Sequence, residues 1–185
     1  MIKLEKKESI YFLTMDAGEN RWNTTFVREI AKALDTIEDD EGPGALITSA
    51  TDSKFFSNGL DLDWMQAPED YPDGGDREVF GEEFMYLMGR FITLPIPTIC
   101  ALNGHTFGAG FMFALSHDFR IMREDRGFLC ANEMQLGLPI PRPELALFKH
   151  KIPANAFFET VQLSKRWTGT DALKAGIVQE VSSFE

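Results

Sequence analysis

The sequence predicts an α/β fold, because short β-rich runs alternate along the chain with segments of helical periodicity. Several of these runs are continuous in apolar character, as buried parallel strands are. The predicted strands are Ser9–Thr14, Ala45–Ser49, Pro97–Leu102 and Phe119–Met122. The predicted helices cover Thr24–Asp39, capped by Asn23 or Thr24, then Gly81–Leu94 and the short apolar stretch Phe111–Leu115.

Length and composition limit the possible classes of protein. With 185 residues and 44% hydrophobic content, the chain can form one domain, residues 1–185, with a substantial core. The net charge is −11 and the 18 basic residues are scattered among 29 acidic ones, which argues against a nucleic-acid partner. No apolar run approaches the ~18 residues that span a bilayer, and the start lacks a signal-peptide core.

We therefore expect a soluble, intracellular and cytoplasmic protein with no membrane partner; a peroxisomal or mitochondrial location stays open, since the chain carries no signal for either. Cys100 and Cys130 lie in apolar runs without metal-ligand spacing and are expected to be reduced core residues. Residues 66–76 contain two prolines, two glycines and four acids, and are expected to form a mobile loop.

A glycine-rich segment, Asn103–Gly110, follows the third predicted strand and leads into the short apolar helix. Free N–H groups at a helix N-terminus can stabilise a negative charge that develops on oxygen. Ala109, or Gly110 beside it, is therefore a candidate oxyanion donor. The same glycines also suit close helix packing, so this segment alone leaves both interpretations open.

A second candidate donor lies in Phe55–Leu62, where Gly59 would turn the chain so that the amide of Leu60 faces a cleft. An ordinary turn has the same composition. A carboxylate follows later in the chain, where Glu133 stands among apolar residues within Cys130–Gly137. Desolvation would favour a general acid or base there, and a surface glutamate is the plain alternative.

In this order and with these intervals, the three segments resemble the crotonase superfamily, also called the enoyl-CoA hydratase/isomerase family. The resemblance extends from Asn20–Asn23 to Thr170–Val178. It implies a spiral of ββα units, here without the usual C-terminal helices, and an acyl-CoA as the small-molecule partner. It also implies two peptide N–H groups that polarise the thioester carbonyl, and these fall on Leu60 and Ala109. A homotrimer is possible by the same resemblance.

The resemblance assigns the subfamily through its carboxylates. Hydratases of the family use two glutamates, and the first of these positions is Met112 here, which cannot move a proton. The second position is Glu133, within a run that looks like the corresponding segment of Δ3,Δ2-enoyl-CoA isomerases. The implied activity moves a double bond from Δ3 to Δ2, with Glu133 carrying the proton.

Several further residues are expected around the substrate. No metal is expected, and no cofactor beyond the coenzyme A of the substrate. The expected substrate-binding residues are Ser57, Asn58, Gly59, Asp61, Gly108, Gly110, Met112 and Leu136, with Phe80 and Phe84 as further candidates for the acyl pocket.

Alternatives remain open. A hydratase would need a second acid, a dienoyl-CoA isomerase would need a further carboxylate facing the acyl chain, and a noncatalytic acyl-CoA-binding protein would not need Glu133. His105 and His117 are expected to be packing or turn residues, and His150 lies in a basic patch. None of the three has a triad-like setting, so nucleophilic hydrolysis is not expected.

Overall fold

The computed structural model describes residues 1–68 and 77–183. Nine strands lie in these residues: β1 (Ile2–Lys7), β2 (Ile10–Met15), β3 (Ala45–Ala50), β4 (Phe55–Ser57), β5 (Thr98–Leu102), β6 (His105–Phe107), β7 (Phe119–Arg123), β8 (Leu129–Cys130) and β9 (Glu180–Ser182). The α-helices of the same residues are α1 (Thr24–Glu38), α2 (Leu62–Gln66), α3 (Phe80–Thr93), α4 (Ala109–Leu115), α5 (Glu133–Leu136), α6 (Arg142–Lys151), α7 (Ala154–Val161) and α8 (Gly169–Lys174).

Six strands form the larger sheet, in the order β1-β2-β3-β5-β7-β9. Strands β1 and β2 are an antiparallel hairpin, and the remaining neighbours pair in parallel. Alternate residues of β2, β5 and β7 are buried, as expected for strands with one face on the core. The four strands predicted from the sequence are β2, β3, β5 and β7, so the apolar runs did mark the sheet.

A second, smaller sheet has the order β4-β6-β8, and all its pairs are parallel. Each of β3, β5 and β7 in the larger sheet is followed by one of these short strands and then by a helix. This succession is a spiral of ββα units, which confirms the predicted fold class. The small sheet carries the site described below, because its three strands end at one edge.

Helix α1 begins where the sequence predicts. The side chain of Asn23 accepts a hydrogen bond from the amide of Phe26 at 2.9 Å, which identifies Asn23 as the cap. The apolar face, including Ile30 and Leu34, is buried, and α1 packs against α3. Periodicity was sufficient here because one face of the helix meets the core and the other meets solvent.

The core is richest in aromatic side chains where α1, α3 and α4 meet. Trp22 makes edge-on contacts with Phe26, Phe84 and Phe113 at ring-centroid distances of 5.0–5.1 Å. Every residue of α4 is buried. Cys100 and Cys130 are buried free thiols, as predicted. Because α4 lies within the core, its first residues are held firmly in place.

Some elements differ from the prediction. Strand β1 was not predicted, because it alternates apolar residues with Lys and Glu and lies at the edge of the sheet. Helices α6, α7 and α8 were also not predicted. Of the expected mobile loop, residues 69–76 lie outside the described residues. None of the helices in the described ranges is both long enough and apolar enough to cross a membrane.

Candidate active site

The three segments singled out in the sequence lie at one edge of the small sheet. Leu60, Ala109 and Glu133 each follow within three residues of the end of β4, β6 and β8, respectively. The carboxyl ends of parallel strands meet at the same edge, where α/β proteins commonly bind ligands. The order of the strands therefore brings the segments together.

Two glycines allow the close approach of these segments. Gly59 and Gly108 have positive φ angles, 81° and 50°, which favour glycine. A Cβ atom on Gly59 would lie 3.0 Å from the carbonyl oxygen of Phe107. A Cβ atom on Gly108 would lie 3.1 Å from Oε1 of Glu133 and 3.9 Å from Cα of Gly59. The three segments are thus in direct contact, and a side chain at either glycine would separate them.

The amide of Leu60 is oriented by a neighbouring stretch of backbone. The amide of Trp22 donates to the carbonyl of Gly59, and the amide of Asp61 donates to the carbonyl of Trp22, each at 2.9 Å. Residues on either side of Leu60 are therefore bonded towards Trp22, so the N–H of Leu60 points to the opposite side. In the described ranges this amide has no hydrogen-bond acceptor, and Leu60 lines a cavity.

The amide of Ala109 is the first of helix α4. The carbonyl of Gly108 accepts the first helical hydrogen bonds, from Phe111 at 2.9 Å and Met112 at 3.1 Å. The N–H of Ala109 lies before these bonds and has no intrahelical acceptor. Ala109 is 8% exposed and lines the same cavity as Leu60. Two backbone donors without an acceptor in the described structure therefore adjoin one cavity.

The cavity has a volume of about 690 Å³. Among the predicted substrate-binding residues, those that line it are Asn58, Gly59, Gly108, Met112 and Leu136, together with Phe80 and Phe84. Most of its wall is apolar, and its size is in the range of ~300–1,000 Å³ that is common for small-molecule sites.

Glu133 brings a carboxyl group into this cavity. It begins helix α5, and its Oε2 atom is buried without a hydrogen-bond partner in the described ranges. Burial raises the pKa of Glu133 above the usual value for glutamate. A carboxylate that lacks stabilising partners is a stronger base than an exposed one, which suits it to proton transfer near neutral pH.

Ser57, Asp61 and Gly110 do not line the cavity, in contrast to the prediction. Ser57 is fully buried: its hydroxyl donates to the carbonyl of Asn20 at 2.7 Å and accepts from the indole of Trp22 at 3.0 Å. Asp61 caps helix α2 by accepting from the amide of Trp64 at 3.2 Å.

Gly110 is buried where a Cβ atom would lie 2.5 Å from Cβ of Ser57. These three residues lie behind the wall of the cavity: Ser57 and Gly110 are buried in the protein interior, and Asp61 caps helix α2.

The histidines stand apart from the cavity. His117 is fully buried between the carbonyl of Phe113 at 2.9 Å and the hydroxyl of Thr48 at 2.8 Å, and burial lowers the pKa of its ring to about 3. His105 stacks between Phe107 and Phe128. Both are packing residues, as predicted. In the described part of the chain, no group of three or more potential ligands is arranged to hold a metal ion.

Four charged residues of the cavity were missed by sequence reasoning. Arg21, Asp63, Arg77 and Glu144 all line it. Glu144 is the most informative, because burial and the nearby Glu133 raise the pKa of its carboxyl to about 7. The only signal in the sequence was a single acid at the start of a helix after a proline-rich run, residues 139–143.

A comparison with known protein families shows which family the chain belongs to. The model of a family described as enoyl-CoA hydratase/isomerase matches residues 5–185. The chain belongs to the enoyl-CoA hydratase/isomerase family. This agrees with the resemblance found in the sequence and with the spiral of ββα units.

Individual relatives refine the placement within the enoyl-CoA hydratase/isomerase family. The chain is 35% identical to enoyl-CoA delta isomerase 2, peroxisomal, of Arabidopsis thaliana, over 98% of this chain and 77% of that protein. It is 33% identical, with the same coverage, to enoyl-CoA delta isomerase 3 of that organism. Among solved structures, an enoyl-CoA hydratase from Mycobacterium ulcerans superposes with a TM-score of 0.87 at 25% identity, covering 98% of this chain and 77% of that one.

Proposed function

We propose that this protein is a Δ3,Δ2-enoyl-CoA isomerase, which moves the double bond of a 3-enoyl-CoA to the 2 position. The observation that carries the proposal is the meeting of two unpaired backbone amides and one poorly stabilised carboxylate in a single, mainly apolar cavity. The names of the Arabidopsis relatives support the same activity.

The two amides would bind the thioester oxygen. When a proton leaves C2, negative charge moves onto this oxygen, and the N–H groups of Leu60 and Ala109 stabilise it. Donors fixed in advance are effective because they need no reorganisation during the reaction. Both amides belong to segments whose neighbours are hydrogen-bonded or buried, which keeps their direction constant.

Glu133 would carry the proton. Its carboxylate removes the proton from C2, the electron pair enters the conjugated dienolate, and the resulting carboxylic acid delivers the proton to C4. The 3,4 double bond becomes a 2,3 double bond, and no atom is gained or lost. The apolar surroundings that raise the pKa of Glu133 also strengthen it as the base for this step.

Hydration of a 2-enoyl-CoA is less well supported. The position of the first hydratase glutamate is Met112 here, which is 2% exposed and lines the cavity with a thioether. A thioether neither donates nor accepts a proton at neutral pH. No separate cofactor takes part in this proposal, because coenzyme A enters as part of the substrate.

Two substrates distinguish the candidate functions. The protein is incubated separately with 3-hexenoyl-CoA and 2-hexenoyl-CoA, and conjugation of the double bond and addition of water are followed separately. An isomerase conjugates the first and leaves the second unhydrated. Rapid hydration of 2-hexenoyl-CoA would contradict the proposal, and binding of both without turnover would identify a noncatalytic acyl-CoA-binding protein.

The homotrimer is also proposed rather than observed. Met134, Leu136 and Leu138 are 37–52% exposed beside the cavity, and such side chains are commonly covered by a partner. Light scattering coupled to size-exclusion chromatography tests this assembly: a mass of three chains supports it, and a mass of one chain contradicts it.

A further inference from the structure

A buried serine lies between the two backbone donors of the cavity. Ser57 is the last residue of β4, and its side chain is fully buried. The first donor, the amide of Leu60, follows it in the chain. The second donor belongs to Ala109, and the next residue, Gly110, approaches the serine closely: a Cβ atom on Gly110 would lie 2.5 Å from Cβ and 2.6 Å from Oγ of Ser57. One side chain therefore adjoins both donor segments.

The hydroxyl of Ser57 uses its full hydrogen-bonding capacity. It donates to the carbonyl of Asn20 at 2.7 Å. It accepts from Nε1 of Trp22 at 3.0 Å and from the amide of Gly59 at 3.3 Å. A hydroxyl has one hydrogen to donate and two lone pairs that accept, so these three bonds fill it. The serine thus joins β4, the turn at Gly59 and the segment of residues 20–22.

The segment of residues 20–22 is itself held in place by a buried asparagine. Asn20 is fully buried and has a φ angle of 49°, which asparagine tolerates better than most side chains do. Its Oδ1 atom accepts from the amide of Ala17 at 2.9 Å, and its Nδ2 atom donates to the carbonyl of Phe56 at 3.0 Å. The carbonyl that receives the hydroxyl of Ser57 is therefore fixed before any substrate binds.

The first donor is oriented from both ends of Gly59. The carbonyl of Gly59 accepts from the amide of Trp22 at 2.9 Å, and the N–H of Leu60 belongs to the same planar peptide. The amide of Gly59 donates to Ser57. Because both polar groups of Gly59 are bonded to this network, the N–H of Leu60 has one direction, towards the cavity.

The second donor rests on the same network. Every residue of α4 is buried, and Gly110, in its first turn, leaves just enough space for the side chain of Ser57. The ring of Trp22 packs edge-on against Phe113 of α4 at a centroid distance of 5.0 Å. The start of α4, where the amide of Ala109 lies, is therefore placed against the residues that orient the amide of Leu60.

We propose that Ser57 is a positioning residue, whose hydroxyl fixes the direction of the Leu60 amide relative to that of Ala109. This inference rests on the proposed function of the same site. Ser57 is not one of the described residues that line the cavity, so it acts on the thioester only through the backbone donors. Donors fixed in advance need no reorganisation, and a displacement of ~1 Å can cost ~10²-fold in rate.

The first test is Ser57→Ala. The change leaves the carbonyl of Asn20, the indole of Trp22 and the amide of Gly59 without their partner, so the turn that carries the first donor can rotate. We expect kcat on 3-hexenoyl-CoA to fall ~10–100-fold. The KM should change by less than about threefold, because the wall of the cavity keeps its side chains.

The carbonyl stretch of a bound thioester reports on the donors directly. Hexanoyl-CoA, isotopically labelled at the carbonyl carbon, has no double bond to move and can be held in the cavity during infrared difference spectroscopy. Two N–H donors weaken the C=O bond and lower its stretching frequency. We expect this lowering in the unmodified protein, and Ser57→Ala should lose most of it.

A matched control separates positioning from stability. Thr160 on α7 is also a fully buried hydroxyl, and it is not among the described residues of the cavity wall. It donates to the carbonyl of Ala156 at 2.9 Å and accepts from the indole of Trp167 at 3.0 Å. Thr160→Val leaves a carbonyl and an indole unpaired, as Ser57→Ala does. It should lower the melting temperature as well, but leave kcat and the carbonyl frequency unchanged.

A second variant tests the network if Ser57→Ala folds poorly. Trp22→Phe removes the indole N–H that donates to Ser57 and keeps an aromatic ring in the core. The other two bonds of the hydroxyl remain. We expect a smaller fall of kcat than in Ser57→Ala and a partial loss of the frequency shift.

Other outcomes overturn the inference. If Ser57→Ala lowers the melting temperature but keeps kcat and the carbonyl frequency, Ser57 has a structural role only. A fall of kcat with an unchanged frequency would place its effect outside the donors, and no frequency shift in the unmodified protein would show that the donors do not reach the carbonyl. Failure of the isomerase proposal is recognised separately, because the unmodified protein would then shift the carbonyl of hexanoyl-CoA without converting 3-hexenoyl-CoA.

Discussion

The two halves of the candidate site are built differently. The backbone donors belong to a buried half: Gly59 is buried, Ala109 is 8% exposed, and both adjoin the fully buried Ser57 and helix α4. Glu133 belongs to a more exposed half, although its carboxyl reaches into the cavity. Helix α5 has four residues, none of them buried, and Met134 and Leu136 are 52% and 50% exposed.

The positions of the backbone donors are therefore fixed by the core, whereas the carboxyl groups can be substituted with less effect on the fold. Donor positions depend on the packing of the core, so substitutions near them alter folding and catalysis together. The carboxyl of Glu133 is carried by α5, a four-residue helix with no buried residue, so substitutions there alter the chemistry more than the fold. Enolate stabilisation is thus fixed by the packing of the core, and the route of the proton is set by half-buried side chains at the edge of the cavity.

The largest effect should come from Glu133→Gln on the exposed half. The change keeps the size of the side chain and removes only the base, so isomerisation of 3-hexenoyl-CoA should fall by up to ~10⁴-fold. Acyl-CoA binding, measured by calorimetry, and the melting temperature should remain close to those of the unmodified protein. Turnover at the original rate would exclude Glu133 as the proton carrier.

On the buried half, Ala109→Pro should have the next largest effect. Proline is tolerated at the first position of a helix but carries no N–H, so catalysis should suffer more than folding. Loss of one such donor typically costs about 2.7–4 kcal/mol in the transition state. The rate constant kcat and the circular dichroism spectrum are the measurements.

Ala109→Ser is the matched control for this donor, since it keeps the N–H and should retain most of the activity. If the folded proline variant isomerises as fast as the serine variant, the amide of residue 109 does not hold the oxyanion, and that of Gly110 becomes the candidate.

Glu144→Gln should change the pH dependence of stability. The pKa of Glu144 is raised from 4.5 to about 7 on folding, so the folded state holds this proton more tightly than the unfolded state. Stability is therefore lost as the pH rises from about 4.5 through 7. We expect the free energy of unfolding of the variant, relative to that of the unmodified protein, to rise by about 1–3 kcal/mol between pH 4 and pH 8. Urea unfolding at a series of pH values measures this difference. A difference between the two proteins that is independent of pH would refute the burial of this carboxyl.

The smallest effect is expected at Met112, where the two halves meet. The unmodified protein should add little water to 2-hexenoyl-CoA, and Met112→Glu should introduce a trace of hydration. Only a trace is expected because a carboxylate at this 2% exposed position is poorly solvated. Met112→Gln, which cannot transfer a proton, is the control, and equal hydration by both variants would show that the acid plays no part.

Sequence reasoning recovered the elements whose residues face two different environments. Helices α1 and α3 have an apolar face, which helical periodicity revealed. Strands β2, β3, β5 and β7 were found from short β-rich runs with many apolar residues. The strands of the small sheet have two or three residues, too few for any period. Helix α6 was missed because four of its ten residues are charged and only Leu147 and Phe148 are buried.

The same distinction applies to the site. Gly59, Gly108 and Glu133 were predicted as site residues from the sequence next to them. Gly59 and Gly108 lie in segments whose glycines permit tight turns, and Glu133 lies among apolar residues. Ser57 was misplaced because strand geometry turns its hydroxyl into the core, towards Asn20 and Trp22, and local sequence does not reveal this. Glu144 has no local motif, and its position in the cavity wall depends on the packing of α6 against α4.

The order of the small sheet has a consequence for the dimensions of the site. Because β4, β6 and β8 are hydrogen-bonded neighbours, the ends of adjacent strands are spaced by the inter-strand distance, ~4.7–4.9 Å. This interval is a property of the peptide backbone and is the same for any set of side chains that forms the sheet. The spacing of the strands that carry the two backbone donors therefore does not depend on the carboxyl groups around the cavity. A carboxyl can be placed at a different position there without changing the distance between the donors.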